Sequence, residues 1–246
     1  MKENISIEVS NLSKHYGKFK AVDEITFDVK KGEIFGFLGA NGAGKSTAMK
    51  MLCGLLGPTS GEGTVAGFDI YKQSEQIKKN IGYMSQKFSL YNDLTVLENM
   101  IFYGGIYGLS RKYIKEKTTT LLKELGFDDK LGTMVSSLPL GWKQKISFTL
   151  AHIHNPAIVF LDEPTGGVDP VTRRDFWEMI YKAAEGGTTV FVTTHYMDEA
   201  EYCDRISMMV DGQIHGLGSP AELKKQFEST NMDEVFIKLA RPNEKV

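Results

Sequence analysis

The sequence predicts an α/β fold built around a mostly parallel sheet, and three observations support this prediction. Apolar segments of strand length recur at residues 34–38, 81–85 and 157–161, as expected for strands buried on both faces. A segment of helical character, residues 45–56, follows the first of them. Glycine or polar residues come directly after each apolar segment, and ligands of open α/β sheets bind beyond the carboxyl ends of the strands. We therefore expect the functional residues at that edge of the sheet.

Length and composition limit the class of protein. A chain of 246 residues with 41% hydrophobic residues can form one large domain, or a core with a subdomain. The formal charge of -2 and the lack of a long Lys/Arg run argue against a nucleic-acid partner. We recognise no signal peptide and no apolar run long enough to cross a membrane. Cys53 and Cys203 lack metal-binding spacing and are expected to be buried thiols, so we predict a cytosolic protein.

The chain begins with two segments that alternate apolar and polar residues, at 5–9 and 25–29. Such alternation is typical of strands with one buried face, so we expect a sheet at this end of the chain. Tyr16 lies between the two segments and is followed by Gly17. In a nucleotide-binding protein this tyrosine could stack on adenine, and it could equally be an ordinary packed aromatic residue.

The strongest motif has the spacing G-x-x-x-x-G-K-[ST] and lies between the first buried strand and its helix. It comprises Gly39, Ala40, Asn41, Gly42, Ala43, Gly44, Lys45, Ser46 and Thr47. The glycines let backbone N–H groups approach a phosphate, Lys45 neutralises β- and γ-phosphate oxygens, and the Ser46 hydroxyl ligates Mg²⁺. The helix that follows presents its N-terminus to the anion. Because both flanking elements fit, the motif predicts a nucleoside triphosphate site rather than an empty glycine-rich turn.

Polar residues follow three further predicted core strands. Gln86 could reach Mg²⁺ or an attacking water, or could be a solvated loop residue. Side chains alternate along a strand, so the carboxylates of Asp162 and Glu163 point in different directions and are expected to do different jobs. Asp162 suits the hydration shell of Mg²⁺, and Glu163 suits the nucleophilic water. This acidic pair is a weak signal alone and a strong one beside a phosphate loop. His195 follows the strand predicted at residues 188–193, where a catalytic role becomes more plausible than a structural one.

The middle of the chain changes to helical periodicity. Residues 96–107 and 111–125 predict two helices that form an insertion in the α/β core. A third helix is predicted to begin near Gly141. Its N-terminus could bind an anion of another subunit, or could simply start a surface helix. Towards the end of the chain, residues 220–227 predict a final helix, and the polar segment after Ser229 has no predicted structure.

In their order along the chain, these motifs resemble the nucleotide-binding subunit of ATP-binding cassette (ABC) transporters. The resemblance covers essentially the whole chain. It implies a P-loop NTPase core with a mostly parallel sheet, an N-terminal antiparallel β subdomain and a helical insertion subdomain. It also implies a single cassette domain over residues 1–246. The expected parts are an α/β core with the β subdomain at about 1–93 and 155–228, a helical subdomain at about 94–154, and a C-terminal tail at 229–246.

The resemblance also implies roles for individual residues around bound ATP and Mg²⁺. Tyr16 would stack on the adenine, and Gly141 would bind the ATP of a facing subunit. Asp169, in the loop at residues 167–169, would communicate across the dimer. The implied catalytic residues are Glu163, His195, Lys45 and Gln86. The implied metal ligands are Ser46, Gln86 and Asp162.

The partners implied are integral membrane permease subunits and a second nucleotide-binding subunit, identical or different. Residues 194–201 resemble the branch of exporters with separate permeases, often for drugs, lipids or polysaccharides. Residues after Gln86, especially 88–93, and the helical insertion would dock a coupling helix of the permease. The protein would then lie on the inner face of the cell membrane, held there by its partner.

One departure from the family pattern concerns the segment that usually reads Leu-Ser-Gly-Gly-Gln, which here reads Leu-Pro-Leu-Gly-Trp at residues 138–142. Pro139 has neither the hydroxyl nor the N–H of the usual serine. We interpret it as a variant that still functions. Two alternatives remain: a soluble cassette ATPase of repair or translation, and an ATP-binding regulatory module with impaired hydrolysis. A GTPase is disfavoured, since the sequence lacks an Asn-Lys-x-Asp motif.

Overall fold

The computed structural model describes residues 4–86, 90–124, 126 and 131–240. Within them the strands are β1 (Ile5–Tyr16), β2 (Phe19–Lys30), β3 (Ile34–Gly39), β4 (Ser60–Val65), β5 (Phe68–Asp69), β6 (Ile81–Met84), β7 (Ile158–Asp162), β8 (Thr189–Thr194), β9 (Arg205–Val210) and β10 (Gln213–Gly218). The α-helices are α1 (Lys45–Leu52), α2 (Ser74–Asn80), α3 (Val96–Ile106), α4 (Arg111–Glu124), α5 (Leu140–His152), α6 (Pro170–Glu185), α7 (Pro220–Gln226) and α8 (Met232–Ala240). Short 3-10 helices lie at Val135–Ser137 and Met197–Tyr202.

The strands form two sheets. The larger has the order β10-β9-β3-β8-β7-β6, and its neighbouring strands are parallel except at the β9–β10 hairpin. Every residue of β3, β7 and β8 is buried, which explains why β3 and β7 are almost wholly apolar and why β8 has only threonine beside its apolar residues. The second sheet is antiparallel, with the order β2-β1-β4-β5. The predicted parallel core and N-terminal antiparallel sheet are therefore confirmed.

Five phenylalanine rings join the two sheets. Phe27 of β2 contacts Phe35 and Phe37 of β3, with ring centroids 5.5 and 5.6 Å apart. Phe191 of β8 lies 5.3 Å from Phe37 and 5.3 Å from Phe160 of β7. Offset and tilted contacts of this kind add to the free energy gained from burying the rings. They hold β3, β7 and β8 side by side, so that the loops at the carboxyl ends of these strands converge.

The helices bury their apolar faces in two further clusters. Phe176, Trp177 and Ile180 of α6 pack against the face of the large sheet opposite the phenylalanine rings. Met100 of α3 and Ile146 of α5 belong to a separate cluster that also includes α4. The helices predicted between residues 95 and 154 are therefore present, whereas the proposed limits of the subdomains remain predictions. In the part of the chain that the structure describes, no helix is long and apolar enough to cross a bilayer.

Two helix limits differ from those predicted. Helix α1 stops at Leu52 instead of extending to residue 56, because Gly54 takes a left-handed φ of 67°. The N–H groups of Leu55 and Leu56 then return to the carbonyl oxygen of Lys50, at 2.9 and 3.1 Å. Helix α6 starts at Pro170, three residues earlier than the periodicity indicates, because Asp169 caps it and proline fits the first turn.

The segment predicted as a polar tail contains helix α8. Met232 and Val235 of this helix are buried against the cluster around α6. The Lys238 ammonium donates to the carbonyl oxygens of Phe227 and Glu228, at 2.7 and 3.0 Å. These contacts hold the helix in place. The sequence carries a signal for the helix, since Met232, Val235, Phe236 and Leu239 recur at helical spacing.

Candidate functional site

The glycine-rich loop at residues 39–44 joins the carboxyl end of β3 to the start of α1. Its last glycine, Gly44, has a φ of 105° and approaches the backbone of Ala21 so closely that a Cβ atom would clash with the Ala21 carbonyl oxygen. Only glycine fits both restrictions. The loop is thereby held against the β1–β2 sheet while its backbone leads directly into the helix N-terminus, the geometry that binds phosphate in other proteins.

Lys45 occupies the first residue of α1 and is only 4% exposed. Its ammonium donates to the carbonyl oxygens of Gly39 and Ala40, at 2.8 and 3.2 Å. Burial lowers the pKa of Lys45, and the negative charges of Glu163 and Asp162 oppose that shift. A buried positive charge at the mouth of a phosphate loop is suited to an anionic ligand.

Ser46 and Asp162 form the part of the site that suits Mg²⁺. The Ser46 hydroxyl donates to Asp162 Oδ1 at 3.1 Å. Within the described chain no cluster of three or more His, Cys, Asp or Glu residues could hold a metal. Magnesium is usually bound by one or two carboxylates together with substrate phosphates and water rather than by an all-protein cage. A hydroxyl in contact with one carboxylate, beside a phosphate loop, therefore fits this ion.

The Glu163 carboxylate is the point at which most of the predicted catalytic side chains meet. Its Oε2 atom accepts a 2.9 Å hydrogen bond from Gln86 Nε2 and lies 3.2 Å from His195 Nδ1. Its Oε1 atom lies 3.4 Å from the Lys45 ammonium. The residue has a φ of 48°, which is unusual for a residue with a side chain. A cavity of about 170 Å³, lined in part by Gln86 and Glu163, adjoins this carboxylate.

Gly141 and Asp169 lie together in a second cavity, of about 330 Å³. Asp169 accepts hydrogen bonds from the N–H groups of Val171 and Thr172 at 3.0 Å each and from the Thr172 hydroxyl at 2.6 Å. The hydroxyl and backbone of Thr172 hold the pKa of Asp169 below its ordinary value. Gly141, the second residue of α5, packs so closely on Thr172 that a Cβ atom would clash with the Thr172 methyl group.

Residues 22–166 match the family model described as ABC transporter, over more than half of the chain. The chain belongs to the ABC transporter family. It is 48% identical over 238 residues to the probable multidrug ABC transporter ATP-binding protein YbhF of Escherichia coli, covering 95% of this chain and 41% of that protein. It therefore spans less than half of that relative. It is 38% identical over 218 residues to the linearmycin resistance ATP-binding protein LnrL of Bacillus subtilis, covering 88% and 70%.

A solved structure of the ATP-binding subunit of an ABC transporter has the same fold. It superposes with a TM-score of 0.85 at 28% identity and covers 95% of this chain and 98% of the other. The P-loop NTPase fold predicted from the sequence is thereby confirmed. Binding of ATP is a property of this family of domains. The assignment of the nucleotide to the loop at residues 39–47 stays a prediction.

The structure brings some predicted residues of this ABC domain together and leaves others apart. Lys45, Gln86 and His195 surround Glu163. Tyr16 ends β1 and is 53% exposed, and its described contact is with the Lys14 ammonium, 5.4 Å from the ring centroid. The adenine-stacking role of this tyrosine therefore stays a prediction. The same holds for Gly141 and Asp169, which line a different cavity from Glu163.

Sequence reasoning missed the residues that support His195. The ring centroids of Tyr196 and His195 lie 4.2 Å apart. The Arg173 guanidinium carbon lies 4.2 Å from the centroid of the Tyr196 ring. Arg173 also contacts Asp198 at 3.2 Å and Glu199 at 3.6 Å. The loop that carries His195 is thus attached to α6. An arginine on a helix and a tyrosine in a loop carry no spacing signal that could have revealed this stack.

Proposed function

We propose that this protein is an ATPase subunit that powers a membrane transporter from the cytoplasmic side. The observation that carries the proposal is the convergence of Lys45, Gln86 and His195 on the Glu163 carboxylate, next to a phosphate loop. Such a carboxylate is suited to accept a proton from the water that attacks the γ-phosphate. Gln86 holds it in place by a hydrogen bond, His195 lies beside it, and Lys45 would offset the negative charge that develops on the phosphates.

The nucleotide would lie along the loop of residues 39–47, with its adenine against the exposed ring of Tyr16. Mg²⁺ bound by Ser46, Gln86 and Asp162 would neutralise phosphate charge. The contact between Ser46 and Asp162 supports this assignment, since it places a hydroxyl and a carboxylate oxygen side by side. No further ligand beyond water and phosphate is needed for an ion that keeps much of its hydration shell.

A second nucleotide-binding subunit, identical or different, would complete the site. Gly141 and Asp169 line a cavity separate from the one beside Glu163, so they are free to act on a neighbouring subunit. The N-terminus of α5 carries unpaired N–H groups and partial positive charge, which favour a phosphate. In this arrangement each ATP would lie between the phosphate loop of one subunit and the α5 N-terminus of the other, and closure of the pair would drive transport.

The permease subunit would bind at the helical insertion. Residues 88–93 were predicted to contribute, but 87–89 lie outside the described residues. Beyond them, Tyr91 is 49% exposed and Phe102 is 46% exposed, with ring centroids 5.1 Å apart. Phe102 lies in α3, and Ile106 of that helix is 65% exposed. An exposed group of large apolar side chains is typical of a protein-interaction site, and an amphipathic helix of the permease would fit it.

The transported molecule is inferred from the names of the relatives. One is named as part of a probable multidrug transporter and another as a linearmycin resistance protein. We therefore infer export of a drug-like compound, with a lipid or polysaccharide as the alternative substrate class. Contacts with the cargo would lie in the permease.

The test is to purify the protein with its co-encoded membrane protein and measure ATP hydrolysis by the complex. We expect a polytopic membrane protein to co-purify and MgATP to be hydrolysed. Recovery of the protein without any membrane partner would favour the soluble cassette ATPase instead. A complex that binds ATP and never hydrolyses it would favour the regulatory module.

The proposed docking surface predicts the behaviour of one substitution. Phe102→Ser should reduce co-purification of the permease at least severalfold while leaving ATP binding unchanged, because it removes an exposed aromatic side chain from the apolar group. Leu55→Ser is the matched control, since Leu55 is 53% exposed and lies after α1. Equal recovery of the permease with both variants would contradict the docking site.

A further inference from the structure

The hydroxyl of Thr193 contacts both acidic residues of the site. Thr193 is fully buried in β8, and the register of the sheet places it beside Asp162 of β7. Its Oγ1 atom donates to Asp162 Oδ1 at 2.8 Å and accepts from the Glu163 N–H at 3.1 Å. One side chain thus connects the predicted metal ligand to the backbone of the predicted catalytic base.

The two hydrogen bonds have different consequences. The first adds to the bond that Ser46 donates to the same Asp162 oxygen, so that the carboxylate is held from helix α1 and from strand β8 and its orientation is fixed. The second holds the backbone of Glu163. The Glu163 N–H donates both to the Thr193 hydroxyl and to the Thr193 carbonyl oxygen, at 3.1 Å each. Glu163 has the φ of 48° that residues with side chains seldom adopt. Such a backbone persists only where its surroundings impose it.

We propose that Thr193 is a positioning residue for ATP hydrolysis, aligning Asp162 towards the metal and fixing the backbone of Glu163 through a single hydroxyl. This inference rests on the proposed ATPase function. It applies to the hydroxyl and not to the shape of the side chain, because both contacts with the acidic residues are made by Oγ1. Serine should therefore replace Thr193, and valine should not.

The neighbouring Thr194 has a different task. Its hydroxyl accepts the N–H of Tyr196 at 3.0 Å and contacts neither acidic residue in any described hydrogen bond. Because successive side chains of a strand point to opposite faces of the sheet, these two adjacent threonines face different surroundings.

The matched control is Thr118, which is also fully buried and donates its hydroxyl to Ile114 O at 2.7 Å within α4. Thr118→Val removes a buried hydroxyl without touching the site.

The experiment compares Thr193→Val, Thr193→Ser and Thr118→Val in the full-length chain bound to its permease. Binding of Mn²⁺, used as a spectroscopic substitute for Mg²⁺, is titrated in the presence of a non-hydrolysable ATP analogue. We expect Thr193→Val to weaken Mn²⁺ about tenfold, within the range for loss of a hydrogen bond to a charged group. The affinity for the analogue in EDTA should remain that of the wild type. The kcat should fall about 10- to 100-fold, and Thr193→Ser should restore both quantities to within about threefold.

Wild-type Mn²⁺ affinity and wild-type kcat in Thr193→Val would overturn the proposal. Equal losses in Thr193→Ser and Thr193→Val would also overturn it, since the hydroxyl would then be irrelevant. If valine lowers the melting temperature more than Thr118→Val does, Thr193→Ala removes the hydroxyl without adding a methyl group and should give the same Mn²⁺ result. A wild-type complex without ATPase activity would refute the proposed function, whereas the Mn²⁺ titration would still test Thr193.

Discussion

Replacement of Glu163 by glutamine is the most direct test of the site. The amide has nearly the shape of the carboxylate and keeps an oxygen that can accept from Gln86 Nε2, now 2.9 Å from Glu163 Oε2. It cannot accept a proton from the attacking water and loses the charge that faces Lys45 at 3.4 Å. Loss of a general base lowers rates by about 10² to 10⁴, which corresponds to about 2.7 to 5.4 kcal/mol of activation free energy.

ATP binding should respond differently from hydrolysis. The γ-phosphate would lie near the Glu163 carboxylate, and removal of that negative charge lessens repulsion between the two groups. We therefore expect the ATP affinity of Glu163→Gln to equal or exceed that of the wild type, while kcat falls by the full factor. A change confined to kcat is the pattern of a residue that acts mainly in the transition state.

The assay is steady-state ATP hydrolysis by the protein in complex with its proposed permease, combined with a direct measurement of ATP binding. Glu75→Gln provides the control, because this glutamate is an exposed residue of α2 that pairs only with Lys78 among its described ion pairs. The control should retain wild-type turnover. Turnover in Glu163→Gln above about half of the wild-type rate would refute the role of the carboxylate as base.

The remaining predictions concern packing and thiol chemistry. Gly141→Ala should lower the melting temperature by about 2 to 12 °C, because the added methyl group meets Thr172 and overpacking costs about 1–3 kcal/mol. Gly105→Ala, with open space around the new methyl group in α3, should raise it by about 1 to 4 °C in the same calorimetric scan; a gain in both variants would contradict the packing argument. Burial raises the pKa of the Cys53 and Cys203 thiols, so both should react with a thiol reagent at neutral pH only after denaturation. Rapid labelling of the folded protein would show that this burial is wrong.

The sequence predicted the residues around Glu163 because apolar strands and their carboxyl ends are visible in a linear pattern. Gln86 and His195 each follow a buried segment directly, and parallel strands bring such ends to one edge of the sheet. The contacts at 2.9 and 3.2 Å with Glu163 therefore follow from topology that the sequence already implied. The start of α5 was predicted equally well, within one residue of Gly141.

The supporting contacts could not be predicted, because they depend on side-chain direction and on packing between distant segments. Thr193 is one of several β-branched residues in its strand, and only the register with Asp162 distinguishes its hydroxyl from a methyl group. Arg173 meets Tyr196 only because α6 packs beside the loop after β8. Helix α8 was missed for a different reason. Its apolar residues recur at the i, i+3, i+4, i+7 spacing of an amphipathic helix (Met232, Val235, Phe236 and Leu239), and describing the segment as polar overlooked that signal.

The altered segment at residues 138–142 can be judged from its packing. Pro139 is the cap of α5, and its carbonyl oxygen accepts from the N–H groups of Trp142 and Lys143, at 3.1 and 3.2 Å. The helix thus begins regularly although the cap has no side-chain acceptor. Gly141 packs on Thr172, whose hydroxyl donates to Asp169 at 2.6 Å. The α5 N-terminus and the Asp169 loop are therefore joined through one threonine and would meet a facing subunit as a single unit. A proline in place of serine removes two donors from that surface, a hydroxyl and an N–H, and leaves the packing of the two segments intact.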